Sequence, residues 1–476
     1  MTIAAVELPL VLARPGDPFP DIVLAVIVGS AVMIGLTAVA VVGWRNSRIR
    51  RRLAWHFGGP RYRQLPVVGR SFSALDLPNV RRAIEAYAQQ FGGTLEVLSV
   101  NAKPLQATDL APQAPSYRQV DIDVDVHEDC LTNPLYLLAA GEQRYAILLS
   151  GVYNYGVPAP TLNVMAATRE LAGECLDTLR RLVRQHSIYR GRVISIESKQ
   201  HSDDDYSDHS GWGQVRFHRL PAVSGEAIIL PQATMTMIQR NTVGFFRHAP
   251  RLKREGHSVK RGLLFHGPPG TGKTRTACWL THSLKDVTVF LVTGEQLWNI
   301  KESCSLARSL SPAMLILEDV DLIATRRDQS FQTTALHQLM NEMDGLDSDA
   351  EVLFLLTTNQ PDQIEPALAN RPGRIDQAIH FPLPDHDCRK RLIELYRGRS
   401  TLAIDDWETV LRKTDGASPA FIKELVRKAA LIAVEQIEDE EAPTILTDRH
   451  FLDALHEMTS GDGELTRRLA GFAPRE

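Results

Sequence analysis

Eight consecutive residues carry the most specific chemistry in the chain: Gly267, Pro268, Pro269, Gly270, Thr271, Gly272, Lys273 and Thr274. Glycines at this spacing let a backbone curl until its N–H groups converge, and convergent N–H groups bind phosphate oxygens. Lys273 then supplies a cation for the β- and γ-phosphates. The Thr274 hydroxyl is a hard ligand for Mg²⁺, at a helix N-terminus whose dipole favours anions. The pattern is a P-loop suited to ATP with Mg²⁺.

Such a loop works only between a strand that aims it and a helix that follows it. Arg261-Gly-Leu-Leu-Phe-His266 is an apolar run suited to a buried strand, and Arg275 to Leu284 reads as a helix. Two further apolar runs end in residues that belong beside a phosphate. Met314-Leu-Ile-Leu317 leads into Glu318-Asp319, a carboxylate pair that can hold Mg²⁺ through water and polarise an attacking water. Glu351-Val-Leu-Phe-Leu-Leu356 leads to Thr357-Thr358-Asn359, which puts an amide where the γ-phosphate or the attacking water would lie. Either carboxylate can join Thr274 at the metal or act as the base. Asp is one methylene shorter than Glu, so slow hydrolysis or shared roles are both open.

Asn359 also opens the run Asn-Gln-Pro-Asp-Gln-Ile-Glu-Pro-Ala-Leu-Ala-Asn-Arg371-Pro-Gly-Arg374-Ile-Asp376. Through this run, residues 225 to 460 resemble the AAA family of ATPases, whose second region of homology has the same order. The resemblance implies that Asn359 is sensor 1, that Glu318 joins Thr274 as the metal contact and that Asp319 is the base. It implies that Arg371 and Arg374 are arginine fingers reaching the γ-phosphate bound by a neighbour, so hydrolysis needs a homo-oligomeric ring of six or seven subunits. An arginine supplied in trans stabilises charge in phosphoryl transfer, which agrees with that role. A small helical lid is implied too, its sensor 2 region at Thr414-Asp-Gly416-Ala-Ser-Pro-Ala-Phe-Ile422, with Pro419 where many members have Gly. The family's pore-loop triplet of aromatic, aliphatic and Gly falls at Asn299-Ile300-Lys301, before Glu302-Ser303, and lacks both the aromatic and the Gly. Trp298 is either a stand-in one residue early or a core tryptophan. Within the family, the layout is most similar to the membrane-anchored chaperones that move the folded Rieske iron–sulfur protein across the mitochondrial inner membrane. They share the Leu-Glu-Asp-x-Asp order of Leu317 to Asp321.

Ile22 to Trp44 is a run without charge, about 35 Å long as a helix and enough to cross a hydrocarbon core of about 30 Å. Only Arg14 precedes it as a base, unlike a cleaved signal peptide. Arg45, Arg48, Arg50, Arg51, Arg52, Arg61 and Arg63 follow it. The positive-inside rule then puts the N-terminus outside and the rest in the cytoplasm of a bacterium, with the mitochondrial matrix as the alternative. Arg45 to Phe57 also reads as a basic amphipathic helix on anionic lipid, with Trp44 and Trp55 at the interface.

At 476 residues with a net charge of −4, the chain suits several domains and does not suit a general nucleic-acid binder. Its five cysteines are scattered, without metal-ligand spacing, and read as buried thiols of a reducing compartment. His456-Glu457 is followed by Met-Thr-Ser, so no HExxH zinc site is present.

The expected fold class is α/β: a P-loop NTPase (AAA) parallel-sheet core with a small helical lid, preceded by a mixed α/β domain and one N-terminal transmembrane helix. The expected division is an outside N-terminus (1–21), the span and its bilayer contact (22–44), a basic juxtamembrane segment (45–64), the mixed α/β domain (65–198), a polar acidic linker (199–218), the large ATPase subdomain (219–385) and the lid with its tail (386–476). In the mixed domain, Leu77 to Phe91, N-capped by Asp76, and Arg169 to His186 read as helices. Thr94 to Val100, Gln119 to Val126, Gln143 to Val152, Thr161 to Ala167 and Arg192 to Glu197 read as strands. Asp121, Asp123 and Asp125 alternate as on the solvated face of a sheet, with a cation site as the lesser reading. The function expected is ATP-driven remodelling, chaperoning or translocation of a protein substrate. The competing readings are an ATP-binding membrane scaffold with little turnover and an ATPase partner of a separate membrane protease.

Overall fold

The computed structural model describes residues 48–101, 103–107, 110–150, 160–198, 213–321, 338–344, 350–362, 374–437 and 442–459. The expected span at 22–44 lies outside them, as does Arg371. Among the described residues no helix is long and apolar enough to cross a membrane. The chain divides into two compact units, Met1–Arg118 with Asp129–Leu182 and Gln119–Glu128 with Val183–Glu476.

The first unit is built on β1 (Val67–Ser71), β2 (Thr94–Ser99), β5 (Pro134–Ala140), β6 (Gln143–Ser150) and β7 (Thr161–Met165), all antiparallel in the order β1-β7-β6-β5-β2. Between β2 and β5 the chain forms the hairpin β3 (Tyr117–Asp123) and β4 (Val126–Leu131). Sequence reading passed over β1 and β5. In β5, Leu135 to Leu138 are at most 3% exposed, so the strand is apolar on both faces and lacks the alternation that marks a half-buried strand. One face packs Leu135, Leu137, Ala146, Leu148 and Met165 against Ile49, Leu53 and Tyr62. On the helix Leu77–Gln90, Tyr87 meets Tyr145 edge-on at 6.0 Å.

Three expectations change here. Residues 48–56 are helical and their apolar side is core of the first unit, so this part of the expected 45–64 segment packs into a folded domain. Asp76 stands at the N-cap of Leu77–Gln90 but makes no capping hydrogen bond. It ends the 3₁₀ turn Ala74–Asp76, and Pro78 in the first turn favours the helix start. The strand expected over Gln119 to Val126 breaks at Asp125, which has φ 58°, while Val124 N–H donates to Asp123 Oδ1 at 2.8 Å. Asp121 is taken up by His127 (2.6 Å) and Gln214 (3.0 Å), and Asp123 by Arg192 (3.1 Å). No metal-holding cluster occurs among the described residues.

The second unit contains β8 (Val193–Ser198), β9 (Gly213–Phe217), β10 (Lys260–His266), β11 (Thr288–Val292), β12 (Ala313–Leu317), β13 (Val352–Thr358) and β14 (Gln377–His380). Their order is β14-β10-β13-β12-β11-β8-β9. Every pairing except β8–β9 is parallel. Parallel strands are covered on both faces and read as continuous apolar runs; all seven residues of β13 are buried. β8 therefore belongs to the sheet of the second unit and not to the preceding domain, and part of the expected 199–218 linker is the edge strand β9. The pattern of a strand does not say which sheet it joins.

A helical region follows β14. Asp385 caps the helix His386–Tyr396 by accepting from Cys388 N–H at 2.8 Å. Asp406 caps Trp407–Lys413, and Ser418 caps Pro419–Glu435. Pro419 occupies the first turn, where a missing N–H costs nothing. With Asp448–Thr459 and the short pair β15 (Thr401–Ala403) and β16 (Ile445–Thr447), these helices enclose their own core around Phe421, Leu425 and Phe451. Cys130, Cys175, Cys304 and Cys388 are buried free thiols and Cys278 is half-buried. Burial pushes Cys175 and Cys304 up to about 12, so neither is a thiolate nucleophile.

Leu355, fully buried in β13, is the test of this core. Leu355→Ala is expected to destabilise the second unit by about 2–5 kcal/mol, read as a lowered Tm and as faster hydrogen exchange in β10, β12 and β13.

Candidate functional site

The site lies at the C-terminal ends of β10, β12 and β13, where an open α/β sheet leaves a crevice. Between β10 and the helix Lys273–Ser283, Gly267, Gly270 and Gly272 have φ of 144°, 75° and 97°. A Cβ at Gly267 would stand 2.3 Å from the Phe381 carbonyl oxygen, and one at Gly270 would stand 2.9 Å from Ala420 Cβ on the lid. Both the curl and the close approach therefore require glycine. Ala420 N–H donates to Gly270 O at 3.2 Å, so the loop and the lid are hydrogen-bonded. Thr271 Oγ1 and Thr276 Oγ1 brace the turn on the carbonyls of Pro268 and Gly272, each at 2.9 Å.

Lys273 is buried, and its ammonium donates to the carbonyls of Gly267 (2.8 Å) and Pro268 (2.9 Å). Burial pulls its pKa down, and the carboxylates of Asp319 and Asp321 oppose that shift. Glu318 shifts the other way: burial raises its pKa, a hydrogen bond with Thr274 lowers it, and the charge of Asp319 raises it again. Thr274 and Glu318 thus come together as two hard oxygen donors, which fits Mg²⁺.

Asp319 and Asn359 are also joined. Asn359 Nδ2 donates to Asp319 Oδ1 at 3.1 Å, and Asp319 N–H donates to Thr357 Oγ1 at 3.0 Å. Asp319 has φ 47°, an uncommon conformation for a side-chain-bearing residue. The residue that sequence reading did not single out is Asp321. It is 3% exposed, and its Oδ1 accepts from Thr358 Oγ1 (2.9 Å) and Asn359 N–H (3.1 Å). Its signal was present as a third acidic residue just beyond the end of β12, but burial alone distinguishes it from a solvated helix-start aspartate.

The P-loop from Pro269 to Thr274, Asp319 and Asn359 line a cleft of about 350 Å³. One side is polar, from Gly270 to Thr274 with Asp319 and Asn359; the other is apolar, from Ile228 to Leu230 with Leu392 and Tyr396, and Lys423 reaches it from the lid. A polyanion with a flat apolar end, which is a nucleotide, matches both sides.

Two expected features sit elsewhere. The Arg374 side chain is 2% exposed and gives Asp344 a forked contact, with Nη2 to Oδ2 at 2.6 Å and Nε to Oδ1 at 3.2 Å. Its backbone lies so close to β10 that a Cβ at Gly262 would be 1.9 Å from Arg374 O. It is held inside its own unit and is not presented as a finger; Arg371 lies outside the described residues. The expected pore triplet is not an open loop: Asn299 Nδ2 donates to Ile196 O at 3.1 Å, and Ile300 is fully buried at the start of the helix Ile300–Ser309. The side chain of Trp298 lies outside the described ones.

Comparison with known proteins agrees with this geometry. Residues 263–383 match the family model described as "ATPase family associated with various cellular activities (AAA)". The chain is 30% identical over 292 residues to 26S proteasome regulatory subunit 6A of Schizosaccharomyces pombe, covering 57% of this chain and 60% of that one. It is 33% identical over 225 residues to the proteasome-activating nucleotidase of Methanothermobacter thermautotrophicus, covering 44% and 53%. It is also 33% identical over 237 residues to ATPase family gene 2 protein homolog A of Homo sapiens, covering 47% and 26%. The chain spans about half the length of the first relatives named. These relatives support the family-level resemblance. They do not carry the narrower one to the Rieske-protein chaperones.

Asp321→Ala removes the acceptor that holds Thr358 and Asn359 without touching the P-loop. ATP turnover is expected to fall about 10²-fold, the scale of a misplaced catalytic group. Binding of a fluorescent ATP analogue should stay near the wild-type affinity.

Proposed function

We propose, from the match of residues 263–383 to the AAA family model, that the chain hydrolyses ATP in a homo-oligomeric ring and uses the cycle to remodel, chaperone or translocate a protein substrate. The observation that carries this reading is the Asn359 amide held on the Asp319 carboxylate, in the same cleft as Lys273. Such a pair can orient and polarise a water for attack on a γ-phosphate, while Lys273 and the P-loop N–H groups hold the phosphates. Thr274 and Glu318 would hold Mg²⁺, whose charge neutralises the phosphate oxygens when bound. Arg371 supplies the cation from a neighbouring subunit. The pairing of buried Arg374 with Asp344 anchors the chain three residues after it.

A bilayer tether is part of the proposal. The uncharged run 22–44 and the arginines after it support one span with the ATPase module in a bacterial cytoplasm, the mitochondrial matrix being the alternative. Kinship with Rieske-protein chaperones rests on the Leu317 to Asp321 order and the single-span layout, so the substrate is named only by class, a protein. The relatives' names favour one second reading: two are named for the proteasome, and a ring of this kind could serve a separate peptidase.

Steady-state hydrolysis separates an enzyme from an ATP-binding scaffold. Lys273→Ala should abolish turnover, and Arg371→Ala should lower it by about 10³–10⁵ while nucleotide binding persists. Equal rates in wild type and both variants would leave the scaffold. An Asp319→Asn variant should retain substrate proteins in membranes over wild type; a peptidase retained alongside them would favour the second reading.

A further inference from the structure

The helix at 48–56 sorts its side chains by face. Ile49, Leu53 and His56 are at most 9% exposed, and Ile49 and Leu53 belong to the core of the first unit. Arg48, Arg51, Arg52 and Trp55 recur at i, i+3, i+4 and i+7, which places them on one opposite stripe. All four are exposed, and Trp55, at 76%, is the most exposed large hydrophobic side chain among the described residues. Arg61 and Arg63 are exposed in the 3₁₀ turn Pro60–Gln64 that follows. From Arg45 to Gln64 there is no acidic residue. The acidic group facing the stripe is Glu96 of β2, 2.8 Å from Arg52.

An indole left in water beside a row of guanidinium groups is badly placed for an aqueous surface and well placed at lipid headgroups. There its ring meets the acyl boundary and the arginines meet phosphates. The stripe also begins only three residues after Arg45. Arg48 is four residues from Trp44, a reach of at most about 14 Å, so a span ending at Trp44 would hold the stripe within headgroup range.

We propose that Arg48, Arg51, Arg52, Trp55, Arg61 and Arg63 form a binding surface for anionic lipid headgroups, which seats the first unit on the bilayer face. This rests on the tether reading, and its test separates the two. The full chain is placed in phosphatidylcholine vesicles with and without phosphatidylglycerol, and tryptophan fluorescence is measured with brominated acyl chains. Wild type should lose more fluorescence than Trp55→Phe, the difference should grow with phosphatidylglycerol, and Arg48→Glu/Arg51→Glu should reduce it to the Trp55→Phe level. Because these side chains lie outside the core, ATP turnover in detergent should not change. Equal quenching in wild type and Trp55→Phe, or a difference indifferent to phosphatidylglycerol, overturns the proposal, as does Trp55 shielded from both aqueous iodide and lipid bromine, which would mean protein covers it. The tether is read independently, by whether the chain resists alkaline extraction. A chain that washes off yet shows the phosphatidylglycerol-dependent Trp55 signal keeps the surface and loses the span.

Discussion

The buried carboxylate of Asp321 is the constraint on which the rest of the site depends. β12 and β13 are parallel and covered on both faces, so where they end their chains emerge together into a crevice with unpaired polar groups. Asp321 accepts from both Thr358 Oγ1 and Asn359 N–H, and so ties the start of one loop to the start of the other. A buried charge without partners would be costly. With them it fixes a geometry that loops alone would not hold, because hydrogen bonds to a charged acceptor are the stronger kind. Asn359 is then aimed back at Asp319, and the two lie beside Lys273 in a common cleft.

Charge balance explains the rest of the cleft. Lys273 is partly desolvated, which disfavours its ammonium form, and Asp319 and Asp321 compensate. Glu318 is partly desolvated too, and its carboxylate is helped by Thr274 and opposed by Asp319. A site with acids crowded at one end and a buried lysine bonded to its own loop carbonyls suits a ligand that brings phosphates for the lysine and a divalent cation for the acids.

The lid enters through glycine. Gly270 leaves room for Ala420 and Ser418, and its carbonyl accepts from Ala420 N–H. Movement of the helix Pro419–Glu435 therefore acts directly on the phosphate loop. A side chain at Gly270 would wedge the two apart even where its φ of 75° were tolerated. Arg374 illustrates the opposite use of a polar group. Its guanidinium is spent on Asp344 inside the unit, and removing Asp344 would strand the buried arginine without that partner.

The amino-acid sequence by itself determined the P-loop, its strand and helix and the two strand-end clusters, because each is a local pattern: glycines at fixed spacing and apolar runs closed by polar residues. It also marked Arg45 to Phe57 as basic and amphipathic. Only the tertiary structure decided what each pattern faces. β5 was invisible because a strand buried on both faces shows no alternation. β8 and β9 were assigned to other segments because a strand's sequence does not name its partner. Arg374 and the Asn299–Ile300 pair matched motif positions that promised exposure, yet packing against β10, Asp344 and β8 withdrew them. Asp321 passed for one more acidic residue until burial showed that it holds Asn359. Spacing along a chain records which groups are near in sequence, whereas burial, hydrogen-bond partners and charge are properties of groups brought together from distant positions.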